Sequence, residues 1–238
     1  MYRGNTERGV RGTCEMGFRG APESLDYDAM TARRKIGLLG GTFNPVHLGH
    51  LILARDAREA QGLDEVWLMP AGQPVHKLDQ SIAAATHRLA MVKAAVSDES
   101  GLNVCRVEVE RQGATYTVDT LRILTAEYPA VDWTYIVGAD TLPQLVTWRE
   151  IEEVLTLSSF ACMRRPGMPD DPGQLAAQID LPAPWPERLV EGLFTGHRIE
   201  ISSSEIRKRL ASGQSIRYLV PESVETYIRE HHLYLVGD

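Results

Sequence analysis

The sequence predicts an α/β fold: a doubly wound parallel sheet with a small helical part at its C-terminal end. Three observations carry this reading. From residue 35 onward, short apolar runs alternate with segments of helical period. The runs are apolar throughout, as strands covered on both faces must be. Glycine or proline closes most of them, where the chain has to turn out of the sheet. Right-handed crossovers would wind such units in both directions, and ligands then lie beyond the carboxyl ends of the strands.

The elements follow in order. Lys35–Gly40 reads as a buried strand ending in a glycine turn, and Leu48–Gln61 as a helix stopped at Gly62. Glu65–Met69 is a second strand closed by Pro70, and Ala71–Ala85 a loop. Thr86 can cap a helix His87–Val96, and Asn103–Val109 reads as the next strand. Thr117–Tyr128 is helical up to Pro129, and Asp132–Val137 is a strand ending at Gly138. One or two short helices reach Leu157 before another strand, Ser159–Met163. Residues 166–186 hold six of the 13 prolines and read as a surface excursion. A strand near His197–Ile201, a helix from about Ser203 and a last helix begun by Pro221 complete the pattern.

Composition sets outer limits. The chain has 238 residues, 43% hydrophobic and 24% charged, enough for a core without disulfides or structural metal. A formal net charge of −7 argues against a general nucleic-acid binder, whose surface must be basic. Cys14, Cys105 and Cys162 show no metal spacing and read as free thiols in a reducing, cytoplasmic setting. No apolar run is long enough to span a membrane. Residues 1–34 mix Arg3, Arg8, Arg11 and Arg19 with Glu7, Glu15 and Asp26, and lack the apolar core of a signal peptide. They read as a mobile arm ahead of one domain, 35–238, with Met30 a second candidate start of translation. Oligomeric state is not legible, and a homo-oligomer stays open.

The loop after the first strand carries the most chemistry. It runs Gly40-Gly41-Thr42-Phe43-Asn44-Pro45-Val46-His47-Leu48-Gly49-His50. Two glycines permit a tight turn close to a ligand's phosphates. His50 falls in the first helical turn, where free N–H groups and the helix dipole favour an anion, and His47 can face the same space. Taken alone, an HxxH pair reads more readily as two surface or cap histidines. A zinc pair lacks a third ligand nearby. The run nevertheless resembles the GTFxPxHxGH signature of the nucleotidyltransferase superfamily.

Further segments narrow the resemblance to the bacterial nicotinate-nucleotide adenylyltransferases. Pro70-Ala71-Gly72-Gln73-Pro74-Val75-His76-Lys77 is similar to their P-x-x-x-P-P-H-K/R loop, with Val75 in place of the second proline. Thr115-Tyr116-Thr117 with Asp119-Thr120-Leu121 resembles their S/T-Y-T-x-x-T-L segment. Gly138-Ala139-Asp140, with Trp148 eight residues later, matches a G-x-D and a tryptophan. Ile201-Ser202-Ser203-Ser204-Glu205-Ile206-Arg207 resembles I-S-S/A-T-x-I-R, Ser204 keeping the hydroxyl of the commoner threonine. Residues 162–166 resemble the family's exit from a strand, with no chemistry assigned. The likeness covers about residues 35–235.

The resemblance implies adenylyl transfer from ATP to nicotinate mononucleotide, giving deamido-NAD and pyrophosphate. It assigns His47, His50, Lys77 and Arg207 to catalysis, with His50 on the α-phosphate. ATP would meet Gly40, Gly41, Thr42, Phe43, His50, Gly138, Asp140, Ile201, Ser202, Ser203 and Arg207. Nicotinate mononucleotide would meet Thr42, Lys77, Tyr116, Thr117 and Trp148. Mg²⁺ would arrive with ATP and take few protein ligands, so no protein metal site is expected. Each residue also has a plainer reading: Asp140 or Thr117 as a helix cap, Trp148 as core, Ser202 and Glu205 as a capping box. His197, His231 and His232 match no motif and read as surface residues. The rival readings are the same transfer to another acceptor, a class I aminoacyl-tRNA synthetase, and an inactive nucleotide sensor. The length and acidity weigh against the second, and the retained His47, His50, Lys77 and Arg207 against the third.

Overall fold

The computed structural model describes residues 33–72, 82–111, 113–165 and 167–235. Among these residues, six strands form one parallel sheet in the order β3-β2-β1-β4-β5-β6. They are β1 (Arg34–Gly41), β2 (Glu65–Pro70), β3 (Leu102–Val104), β4 (Val131–Gly138), β5 (Ser159–Met163) and β6 (Leu193–Phe194). Strand order reverses between β1 and β4, which run side by side in the middle of the sheet. That is the topological switch point, where neighbouring connections leave in opposite directions and open a crevice. The register pairs Leu38 with Tyr135. Carried on three residues, it brings Gly41 and Gly138 to one level at the crevice mouth.

The helices cover both faces, as the uninterrupted apolar strands require. On one face α1 (Leu48–Ala60), α2 (Ala85–Val96), α8 (Ser203–Ala211) and α9 (Glu222–Glu230) bury Ala54, Ala57, Met91, Val92, Ile206, Val224 and Ile228 against Leu39, Leu68 and Ile136. On the other, α4 (Thr117–Glu127), α5 (Ile151–Leu157) and α7 (Trp185–Glu191) close over Leu38, Trp67 and Tyr135. Between β4 and α5 runs a 3-10 segment, Ala139–Thr147, and α6 (Pro172–Ala176) begins the proline-rich excursion.

Three readings of the sequence need correction. Residues 103–109 do not form one strand: β3 stops at Val104 and the chain turns into the short helix α3 (Val107–Glu110). That turn buries Glu108, whose carboxylate accepts hydrogen bonds from Thr115 at 3.2 Å and Thr120 at 3.0 Å. Residues 197–201 are not a strand either; the last strand is β6, paired with Cys162 and Met163. The segment after it leaves the sheet because the His197 N–H is taken by Asp56 on α1, at 2.6 Å. Helix α2 starts at Ala85, so Thr86 lies inside it and caps nothing. Cys105 and Cys162 are buried and outside any disulfide, and burial pushes the Cys162 thiol up to about 12. Cys14 and residues 1–32 of the expected arm lie outside the described residues.

Candidate active site

The turn after β1 is set by local constraints. Phe43 adopts a left-handed φ of 47° and is 2% exposed, so the chain reverses over a buried ring. The Asn44–Pro45 bond is cis. Asn44 is 4% exposed, and its side-chain oxygen accepts from the Ala83 N–H at 3.0 Å and from the Tyr234 hydroxyl at 2.8 Å. His47 then caps α1 with extended backbone. Gly49 lets the rings close in, since a Cβ there would stand 3.1 Å from His47 Nδ1 and 3.3 Å from Ile199.

The two histidines stack, with centroids 3.7 Å apart. The His47 N–H donates to His50 Nδ1 at 3.2 Å. A backbone amide can only donate, so Nδ1 of His50 is held as an acceptor and the neutral ring carries its proton on Nε2. Burial pushes His50 down to about 3, with His47 nearby adding to the fall, and burial pushes His47 down to about 4. Both are therefore neutral donors at pH 7, placed where α1 begins.

A cavity of about 600 Å³ opens over them. Its lining joins Thr42, Phe43, His47 and His50 from the first turn to Ile201, Ser202, Ser203 and Arg207 from the start of α8. The α8 end is capped by Ser202, whose hydroxyl accepts from the Glu205 N–H at 3.1 Å. Ser203 Oγ donates to the Pro45 carbonyl at 2.8 Å, and Arg207 donates to the Asn44 carbonyl at 2.8 Å. These bonds lock two helix N-termini over one space. Among the described residues no carboxylate lines it, so its field favours an anion.

The other expected residues among those described do not line this cavity. Gly40 and Gly41 end β1 and Gly138 ends β4. Asp140 follows, and its carboxylate takes the Arg165 guanidinium at 3.0 Å. Tyr116, Thr117 and Trp148 form a second group that does not line the cavity. Thr117 hydrogen-bonds the Tyr135 phenol, while Arg149 lies over the Tyr116 ring at 4.8 Å. Trp148 is half-buried, edge-on to Tyr135 with centroids 5.6 Å apart. Lys77 lies outside the described residues.

Several residues that build or line the cavity were not assigned from the motifs. Arg88 is 1% exposed and donates to three carbonyls: Ala83 at 3.0 Å, Thr42 at 2.8 Å and Gly72 at 2.7 Å. It ties the turn after β1 to both ends of the segment that carries Lys77. One signal was available: Arg88 falls on the buried stripe of α2 with Met91, Val92, Ala95 and Val96. Tyr234 offered none, and Arg165 lies in the 162–166 segment that resembles the family's exit from a strand but was assigned no chemistry. His197, read as a surface residue, does have a 75% exposed side chain, yet it lines the cavity.

Comparison with known proteins agrees with this geometry. Residues 38–209 match the cytidylyltransferase-like family. A probable nicotinate-nucleotide adenylyltransferase of Halalkalibacterium halodurans is 42% identical over 206 residues, 86% of this chain and 93% of the relative. One of Desulfitobacterium hafniense is 42% identical over 204 residues, 85% of this chain and 97% of the relative. Among solved structures, a Plasmodium falciparum nicotinic acid mononucleotide adenylyltransferase complexed with NaAD superposes with a TM-score of 0.64. It is 20% identical, across 84% of this chain and 97% of that one. The chain belongs to the cytidylyltransferase-like family and, within it, to the nicotinate-nucleotide adenylyltransferases.

Proposed function

We infer that the protein transfers the adenylyl group of ATP to nicotinate mononucleotide, forming nicotinate adenine dinucleotide and pyrophosphate, a step of NAD biosynthesis in the cytoplasm. One observation carries the reading: two neutral histidine donors and Arg207 share a cavity between two helix N-termini at the switch point, lined by no carboxylate among the described residues. In the transfer, an oxygen of the mononucleotide's 5′-phosphate attacks the α-phosphorus of ATP in line. The bond from that phosphorus to the bridging oxygen breaks, and pyrophosphate leaves with the electron pair. The attacking phosphate is already anionic, so no general base is assigned; positioning and charge stabilisation dominate.

His50 Nε2–H donates to the α-phosphate, His47 supports the neighbouring phosphate oxygens, and Arg207 and Lys77 hold phosphate and departing pyrophosphate. Asp140 accepts from the ribose hydroxyls of ATP. Trp148 stacks the pyridine ring, with Tyr116 and Thr117 beside its carboxylate. Magnesium ion fits this site as a companion of ATP. The described residues include no cluster of His, Cys, Asp or Glu able to hold it, and triphosphate oxygens and water suit its octahedral demand. When bound it would neutralise charge on the leaving pyrophosphate.

The test is steady-state pyrophosphate release with nicotinate mononucleotide, nicotinamide mononucleotide and phosphopantetheine as acceptors. The highest kcat/KM is expected for nicotinate mononucleotide. Equal or higher values for the amide would overturn the acid preference, and activity with phosphopantetheine alone would overturn the acceptor class.

A further inference from the structure

The cavity extends beyond its phosphate-binding end. From His50 its wall follows α1 to Leu53, faced by Met163 at the end of β5, Arg165 just beyond it and Ile199 before α8. With phosphates at His50 and Arg207, and ribose at Asp140 and Arg165, the apolar surfaces of Leu53, Met163 and Ile199 are left for the purine ring. His197 stands at this same end.

His197 is built in, though exposed. Its Nδ1 lies 2.8 Å from Asp56 Oδ1, and its backbone N–H donates to Asp56 Oδ2 at 2.6 Å. Asp56 has a side chain only 10% exposed, so the group that orients the imidazole is itself fixed by packing. The preceding residue has to be glycine for this approach, because a Cβ on Gly196 would stand 2.7 Å from Asp56 Oδ2. Asp56 lies six residues beyond His50 on α1, about 9 Å along the axis at 1.5 Å per residue. That offset is of the order of the span from an α-phosphate to the far edge of its base. Among the described residues nothing binds His197 Nε2.

We propose that His197 is a specificity-determining residue that reads the 6-position of the purine. With Asp56 accepting the Nδ1 proton, Nε2 is left as the acceptor of a ring that lines the cavity. The exocyclic amine of adenine donates to it. A 6-oxo purine sets a second acceptor against it, and the lost hydrogen bond becomes selectivity for ATP.

The experiment is steady-state pyrophosphate release by the full chain with ATP or ITP, at saturating nicotinate mononucleotide. Wild type is compared with His197→Ala and His197→Phe, the second keeping a ring while removing the acceptor. The ratio of kcat/KM for ATP over ITP is expected to fall about tenfold in both, as for one lost hydrogen bond. The loss should sit in the KM for ATP, with kcat retained. An unchanged ratio overturns the proposal, as does a loss of kcat shared by both nucleotides, which would place His197 on the phosphates. The proposal rests on the adenylyl-transfer reading. A wild type inactive with ATP overturns both, whereas an active wild type with an unchanged ratio in the variants overturns this proposal alone.

Discussion

The proposed phosphate end and the proposed pyridine end of the site are built in opposite ways. At the phosphate end His47 is 6% exposed, the His50 ring is held by a backbone amide, and Arg207 and Ser203 are pinned to carbonyls of the same turn. Its donors need little rearrangement to meet an anion. At the pyridine end Tyr116, Thr117 and Trp148 are only half-buried, and their visible partners are one another's neighbours: Tyr135, Arg149 and Phe160. Preorganised donors act on charge that develops as bonds break, whereas an open aromatic shelf contributes affinity. The contrast implies that the two ends fail differently when damaged.

The largest expected effect is therefore at the phosphate end. His50→Ala should keep the fold and measurable ATP binding yet lose about 10²–10³ in kcat, the usual cost of removing one preorganised donor. Arg207→Ala should also raise the KM for ATP, because it would hold phosphates already charged in the ground state. Steady-state kinetics beside a direct ATP titration separates the two, and a His50→Ala enzyme of near-normal kcat would erase the contrast.

A smaller effect is expected at the pyridine end. Trp148→Ala should weaken nicotinate mononucleotide by about 1–3 kcal/mol, on the scale of base–aromatic stacking, and leave ATP titrations nearly unchanged. If both ligands weaken alike, or the thermal midpoint collapses, the contacts with Tyr135 and Phe160 make Trp148 a core residue instead.

The smallest effect concerns the free protein. Burial holds His47 at about 4 and His50 at about 3 in the fold, while an unfolded chain titrates both near 6.5. Below about 6.5 the unfolded state binds more protons, so the stability from neutral histidines is present above that value and lost as the pH falls toward about 4. Thermal midpoints measured between those limits should fall more steeply for wild type than for His50→Gln. Parallel curves would mean that His50 is not held neutral by the fold.

The contrast also governs how much was legible in the sequence. The phosphate end lies in one turn, Gly40 to His50, whose glycines, proline and histidines constrain the backbone locally, so motif and geometry coincide. Its strands were legible for a similar reason, being apolar runs ended by Gly41, Pro70 and Gly138. What escaped depends on distant partners. Residues 103–109 alternate like a strand, yet only 103–104 stay in β3, and the chain turns into α3 where buried Glu108 bonds Thr115 and Thr120. Arg88 is explained only by three carbonyls from three segments, and His197 only by Asp56, 141 positions away. The proposed pyridine end joins residues 116–117 to Trp148 through Tyr135 of β4, on one face of the sheet, so spacing could suggest its members but not their packing.

The central claim is that the fold presets His50 as a neutral Nε2–H donor before any nucleotide binds. ¹⁵N spectra of histidine-labelled protein read that state directly, since the ring nitrogens of each tautomer and of the imidazolium resonate apart. The account predicts that free wild-type protein shows His50 as the neutral Nε2–H tautomer, with no titration between about pH 5 and 8, the range in which an ordinary histidine changes charge. An imidazolium at neutral pH, or a proton on Nδ1, would contradict it.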